Sequence, residues 1–162
     1  MILINNSGII WMIAMNRKIF TATAALMLSS QLVFAAEHTV QMKNVGADGT
    51  MVFEPAVLNV AVGDTVHFEP TDMAHNSESV TNLIPEGSAG WKGAMNQKVS
   101  FTVDKEGVYV YKCTPHTIMG MVGVVVAGSP TNLEEIKTQS ASLSATFVMN
   151  KDRLTNYLNQ VK

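Results

Sequence analysis

Two apolar, β-branched runs, residues 108–112 (VYVYK) and 121–127 (MVGVVVA), bracket a short connection that starts at Cys113 and ends at Gly120. Runs of this length and composition read as strands, and their apolarity reads as central ones. The connection holds the only cysteine of the chain, with His116 three residues on and Met121 five residues after that. A loop between central strands lies at one end of a sandwich, where a rigid scaffold can present reactive side chains. Thiolate, imidazole and thioether together suit a copper ion that alternates between Cu(I) and Cu(II). A second imidazole completes such a set. The candidate is His75, 38 residues upstream and just beyond a strand that ends at Glu69-Pro70.

Taken singly, each of these residues has a plainer reading. A lone cysteine is most often a small buried hydrophobe, and Met119 and Met121 can be core fillers among eleven methionines. A Cys and a His three apart can also form a nucleophile–base pair. The N-terminus shifts the balance. Met15-Asn16-Arg17-Lys18 is a basic n-region, residues 19–34 are an apolar h-region, and Val33-Phe34-Ala35 suits a signal peptidase. Residues 1–36 therefore read as an N-terminal extension and secretory signal, cleaved after Ala35 or Ala36. The apolar run, roughly 16 residues, is short of the about 20 needed for a membrane span. An exported lone thiol is exposed to oxidation and mispairing, and a bound metal protects it.

Residues 37–162 read as one domain. Strands are expected at 39–43, 56–62, 65–69 and 98–103, in addition to the two bracketing runs, and 51–53 is a short apolar run ended by Glu54-Pro55. Turn clusters at 44–49, Gly63-Asp64 and 104–107 separate them, and 81–97 is a long connection with Pro85 and Trp91. Short strands spaced by turns predict a mainly β, antiparallel sandwich. Beyond Gly128 the pattern becomes helical. Ser129-Pro130 resembles a helix start, 131–137 fits two turns, and a longer helix is expected from Ser144 or Ala145 to Gln160. Phe147, Leu154, Leu158 and Val161 share one face of that second helix, so residues 129–162 form a tail that packs on the sandwich. From Ala36 onward nine basic residues face thirteen acidic ones, a balance of −4 that gives no sign of nucleic-acid binding.

The chain resembles the cupredoxins, and among them the pseudoazurins. The residues that carry the likeness are Met51-Val52-Phe53-Glu54-Pro55, Gly63-Asp64-Thr65-Val66, His75-Asn76, Ile84-Pro85-Glu86-Gly87, and Lys112-Cys113-Thr114-Pro115-His116 with Met119-Gly120-Met121. The resemblance spans the whole of 37–162, the helical tail included. It implies a Greek-key β-sandwich with two C-terminal α-helices, and one type 1 copper held by His75, Cys113, His116 and Met121. The four-residue spacing between His116 and Met121 matches pseudoazurins and places Met119 outside the ligand set. His38 and His67 match no ligand position. Asn76 is expected to tie the two ligand loops together and to direct its backbone N–H at the Cys113 sulfur.

What the resemblance implies for function is a periplasmic, monomeric carrier of single electrons. Its transient partners would be redox proteins, such as a nitrite reductase as acceptor and a c-type cytochrome as donor, with no stable membrane association after signal cleavage. The edge of His116 would carry the electron through an apolar patch that includes Met51, Pro115 and Met119. Pseudoazurins commonly ring this patch with lysines; here Lys92 and Lys112 remain, while Val45 and Met73 stand where lysines are frequent. Two other classes are weighed. A copper-binding or storage protein tends to use open Met- or His-rich sites, unlike this closed set. A copper enzyme needs a further metal or an open position, and the chain has only four histidines.

Overall fold

The structure, a computed structural model, describes residues 35–162. The signal peptide expected over 1–36 falls, save its last two residues, outside the described residues. Eight strands form two four-stranded sheets: β1 (Glu37–Gly46), β2 (Gly49–Glu54), β3 (Val57–Val60), β4 (Thr65–Pro70), β5 (Glu78–Ser79), β6 (Val99–Thr102), β7 (Gly107–Lys112) and β8 (Val122–Ala127). The first sheet has the order β2-β1-β4-β6 and the second β3-β8-β7-β5. Two helices follow, α1 (Leu133–Ser144) and α2 (Arg153–Leu158). The β-sandwich with two C-terminal helices agrees with expectation, and β7 and β8 are the central strands of their sheet.

The sheets are mixed, which corrects the antiparallel expectation. β1 runs parallel to β4, and β3 parallel to β8. The cause is β3. It leaves the first sheet to join the second, and the chain then re-enters as β4 on the far side of β1. Periodicity identifies strands, but it carries no information on this crossing. The two-residue β5 was not expected either; it is held by Glu78↔Lys112 and Ser79↔Tyr111 pairing along β7.

Burial explains why the second sheet lacks alternation. Tyr109, Tyr111 and Val125 face the first sheet and pack with Val40, Met42, Val66, Phe68 and Trp91. Val108, Val110, Val122, Val124 and Val126 face the other way, against Ile136, Phe147, Leu154 and Leu158 of the tail. A strand covered on both faces reads as a continuous apolar run. In the inner core Trp91 stacks on Phe68 at 4.8 Å between centroids, and Phe53 meets Tyr111 edge-on at 4.7 Å. Such pairs add about 0.5–1.5 kcal/mol each beyond area burial. Gly123 lies opposite Tyr111, and a Cβ there would sit 2.3 Å from the phenol ring, so only glycine lets this ring cross its neighbour strand.

The tail reverses the expected lengths. The first helix is the long one, starting at Leu133 rather than after Ser129-Pro130, and the second is six residues long. Asn132 precedes α1 but spends its side chain on both main-chain groups of Val108. The helix then extends past Lys137 because Ile136 and Ser140 are buried on one face, with Leu133 and Leu143 half-buried beside them. Residues 145–152 are not helical. Val148 and Met149 give their N–H groups to the carbonyl of Ile118 rather than to a preceding turn, and Asn150 has φ 51°. Phe147, Leu154, Leu158 and Val161 are nonetheless all buried, as expected.

Candidate metal centre

His75 sits at the end of a loop that leaves β4 after Pro70. The N–H groups of Thr71 and Asp72 both reach the carbonyl of Met42, and the carbonyl of His75 accepts from Asn96 at 2.7 Å. The loop is thereby pinned to β1 and to the long connection, and His75 is 0% exposed. Its Nε2 lies 3.0 Å from Asn44 Oδ1, and the backbone N–H of Asn44 in turn reaches Asp72. An amide oxygen only accepts, so Nε2 carries the hydrogen, and in the neutral ring, which burial favours, Nδ1 keeps its lone pair.

Cys113, also 0% exposed, directly follows β7. Its N–H donates to the carbonyl of Met121 at 3.0 Å, and Met121 donates back across the loop to His116 at 3.2 Å. Between them Thr117–Met119 form one 3-10 turn that ends at Gly120 in the left-handed region, φ 73°. The loop is a closed ring in which Met121 is brought back beside Cys113. Asn76 closes it against the upstream loop: its Oδ1 accepts from the Thr114 N–H at 2.7 Å, while Nδ2 donates to Thr114 Oγ1 and to the carbonyl of Gly93. The expected tie between the two ligand loops is therefore present.

Three donor atoms converge. Cys113 Sγ lies 3.7 Å from His75 Nδ1 and 3.5 Å from His116 Nδ1, and the two Nδ1 atoms are 3.1 Å apart. Among the described residues these three form the one cluster of His, Cys and carboxylate donors close enough to share a metal. Two imidazole nitrogens facing each other at this distance can share one proton at most, and a cation between them relieves both. Burial is the main cause that holds His75 below the ordinary imidazole value, with His116 adding to it and Asp72 opposing. Burial also pushes the Cys113 thiol up, against the main-chain N–H groups of Asn76 and His116, which favour the thiolate. A neutral imidazole is ready to bind, and the thiol must give up a proton to the incoming metal. Met121 is buried with Cys113 in the inner core. Thiolate, two imidazoles and a neighbouring thioether make a copper-type donor set.

The remaining histidines are engaged elsewhere. His38 Nε2 bonds Asp64 at 2.8 Å, and His67 lies between Ser100 and Glu37. Of the expected patch, Pro115 is exposed, and Met51, Met119 and the His116 ring are half-buried. Val45 and Met73, at the positions where the family resemblance expects lysines, are 69% and 71% exposed. Lys92 lies 3.5 Å from Glu78, which also pairs in register with Lys112. Asn44 is the site residue that sequence reasoning missed. The sequence reads as a turn cluster there, but the structure places Asn44 in β1, 31 residues before its partner, and it carries no local signal.

The sequence model of the copper binding proteins of the plastocyanin/azurin family matches residues 40–128. The chain is 46% identical over 118 residues to the pseudoazurin of Paracoccus pantotrophus, an overlap covering 72% of this chain and 81% of that one. It superposes on the crystal structure of native pseudoazurin from Hyphomicrobium denitrificans with a TM-score of 0.71 and 45% identity, covering 78% of this chain and 99% of the other. The pseudoazurin of Methylobacterium extorquens AM1 gives a TM-score of 0.68 at 38% identity, with coverage of 78% and 99%.

Proposed function

The chain belongs to the pseudoazurins of the plastocyanin/azurin family, electron-transfer copper proteins, and on that premise we propose that it is a periplasmic single-electron carrier whose copper is held by His75, Cys113, His116 and Met121. The observation that carries the reading is the convergence of three buried or half-buried donor atoms within 4.8 Å of one another, from two loops that Asn76 ties together. Copper supplies the Cu(I)/Cu(II) couple. The chain supplies a site that changes little when the electron arrives. Asn44 fixes the His75 tautomer, Asn76 locks the Thr114 backbone, and the Cys113–Met121 main-chain bond closes the loop. Holding the donors in place lowers the reorganisation that each transfer demands.

His116 is the exit for the electron. It is the one half-buried member of the trio, next to exposed Pro115 and Ile118. A small apolar face suits brief redox encounters. The partners proposed are a nitrite reductase or comparable periplasmic acceptor and a c-type cytochrome donor, met by a monomer. Glu78 lies beside both remaining lysines, so electrostatic steering onto an acidic partner is weak. No helix of the described residues is long and apolar enough to cross a membrane. The buried set argues against copper storage, which depends on ready exchange.

Loading with Cu(II) tests the reading. An intense thiolate-to-copper band is expected, with a matching EPR signal, both bleaching reversibly on reduction and both lost in Cys113→Ala. A colourless complex, or a band that survives the substitution, would overturn the assignment.

A further inference from the structure

We propose that Arg153 is a positioning residue for the copper loop, acting through the carbonyl of Gly120, the residue before Met121. The inference rests on the reading of Met121 as a copper ligand. Arg153 opens α2 and is only 7% exposed. Its guanidinium makes four hydrogen bonds, all to main-chain carbonyls. Nη1 donates to Met51 at 2.9 Å and to Gly120 at 3.1 Å; Nη2 donates to Asp48 at 3.0 Å and to Thr50 at 3.2 Å. One flat, rigid fork thus joins the β1–β2 hairpin to the last residue before the thioether. A lysine, with a single nitrogen, cannot span these carbonyls.

Arg153 is the last of three contacts in a row. The carbonyl of Ile118 accepts from Val148 at 2.7 Å and Met149 at 3.2 Å, that of Met119 accepts from Asn150 Nδ2 at 2.8 Å, and that of Gly120 accepts from Arg153. The end of a short helical turn leaves its carbonyls without intrahelical partners. Here the tail supplies a donor to each. The fit is close: a Cβ on Gly120 would sit 3.1 Å from the carbonyl oxygen of Met149. The same arginine holds the carbonyl of Met51, a non-glycine residue at φ 50° that belongs to the proposed docking patch. The path of the chain into Met121 is therefore set from outside the sandwich, by the segment 148–153. A thioether is the weakest donor of this site and tunes its properties through its distance, so this is where a displaced backbone registers first.

The test uses the copper-loaded protein. Arg153→Lys keeps the charge but not the fork. Asn150→Gly keeps the left-handed backbone, which glycine adopts freely, and removes only the bond to Met119. Tyr157→Phe removes a different tail contact, to Asp48 Oδ2 at 3.0 Å, and serves as control. Visible spectra, EPR and the midpoint potential are recorded on folded protein. Both Arg153→Lys and Asn150→Gly should change the intensity ratio of the thiolate-to-copper bands and shift the potential, while Tyr157→Phe matches the parent. Spectra of the first two superimposable on the parent, or an equal change in the control, overturn the inference. A parent protein without the thiolate band overturns instead the reading beneath it.

Discussion

The four histidines form two contrasting pairs. His38 and His67 lie on neighbouring parallel strands, half-buried, each bonded to a carboxylate, Asp64 or Glu37. His75 and His116 come from separate loops, and their Nδ1 atoms face each other and a thiol. In the first pair His38 Nε2 is committed to the buried Asp64, and both ring nitrogens of His67 are committed to Ser100 and Glu37. The second has lone pairs aimed inward and backed by Asn44 and the loop main chain. His75 shows the difference most plainly: Asn44 engages its other nitrogen and burial favours the neutral ring, which leaves Nδ1 free to meet a cation.

The sharpest test of that contrast exchanges the pairs. His75→Ala should abolish the thiolate-to-copper band, whereas His38→Ala and His67→Ala should leave it intact; loss of the band in either surface variant would erase the distinction. Next in size is Asn76→Ala. It leaves the Thr114 N–H without its partner and unties the ligand loops, so the copper-free protein should lose about 2 kcal/mol in denaturant unfolding. An unchanged unfolding midpoint would show that the loops hold without it.

The carboxylate beside His38 gives a pH prediction. Asp64 accepts N–H groups from Ala61 and Ala36 as well as the His38 ring, in that order of importance, and is held at about 2 against an ordinary 3.8. Its folded value is depressed, so its stabilisation is complete above 3.8 and lost as pH falls through about 2. Asp64→Asn should lower stability at neutral pH and flatten the acid dependence in that window. Parallel acid titrations of the two proteins would contradict it. The smallest effect concerns docking. Raising ionic strength from about 0.01 to about 0.15 M shortens the Debye length from about 30 to about 8 Å. Electron transfer to an acidic partner should slow only slightly across this range, because Glu78 accompanies Lys92 and Lys112. A steep fall would mean that these lysines steer after all.

What could be read in advance follows how local each feature is. The strands β7 and β8 and the loop between them lie within one stretch, and their side chains alone announce them. The tail was half legible. Its apolar residues marked which side chains are buried, but they did not say where the backbone N–H groups of Val148 and Met149 go. Those groups reach Ile118, about thirty residues back, and the helix is interrupted there. Main-chain carbonyls have no sequence signature, so the bonds of Arg153 to Gly120 and Met51 were equally hidden.

By itself the sequence determined the Cys113, His116 and Met121 spacing and the strands that flank it, because both lie along one chain segment. Only the tertiary structure decided that His75 meets this loop, that Asn44 selects its tautomer, and that a buried arginine of the tail braces the residue before Met121. These depend on a strand crossing between sheets and on hydrogen bonds to anonymous backbone atoms, which the packed fold specifies and residue spacing does not.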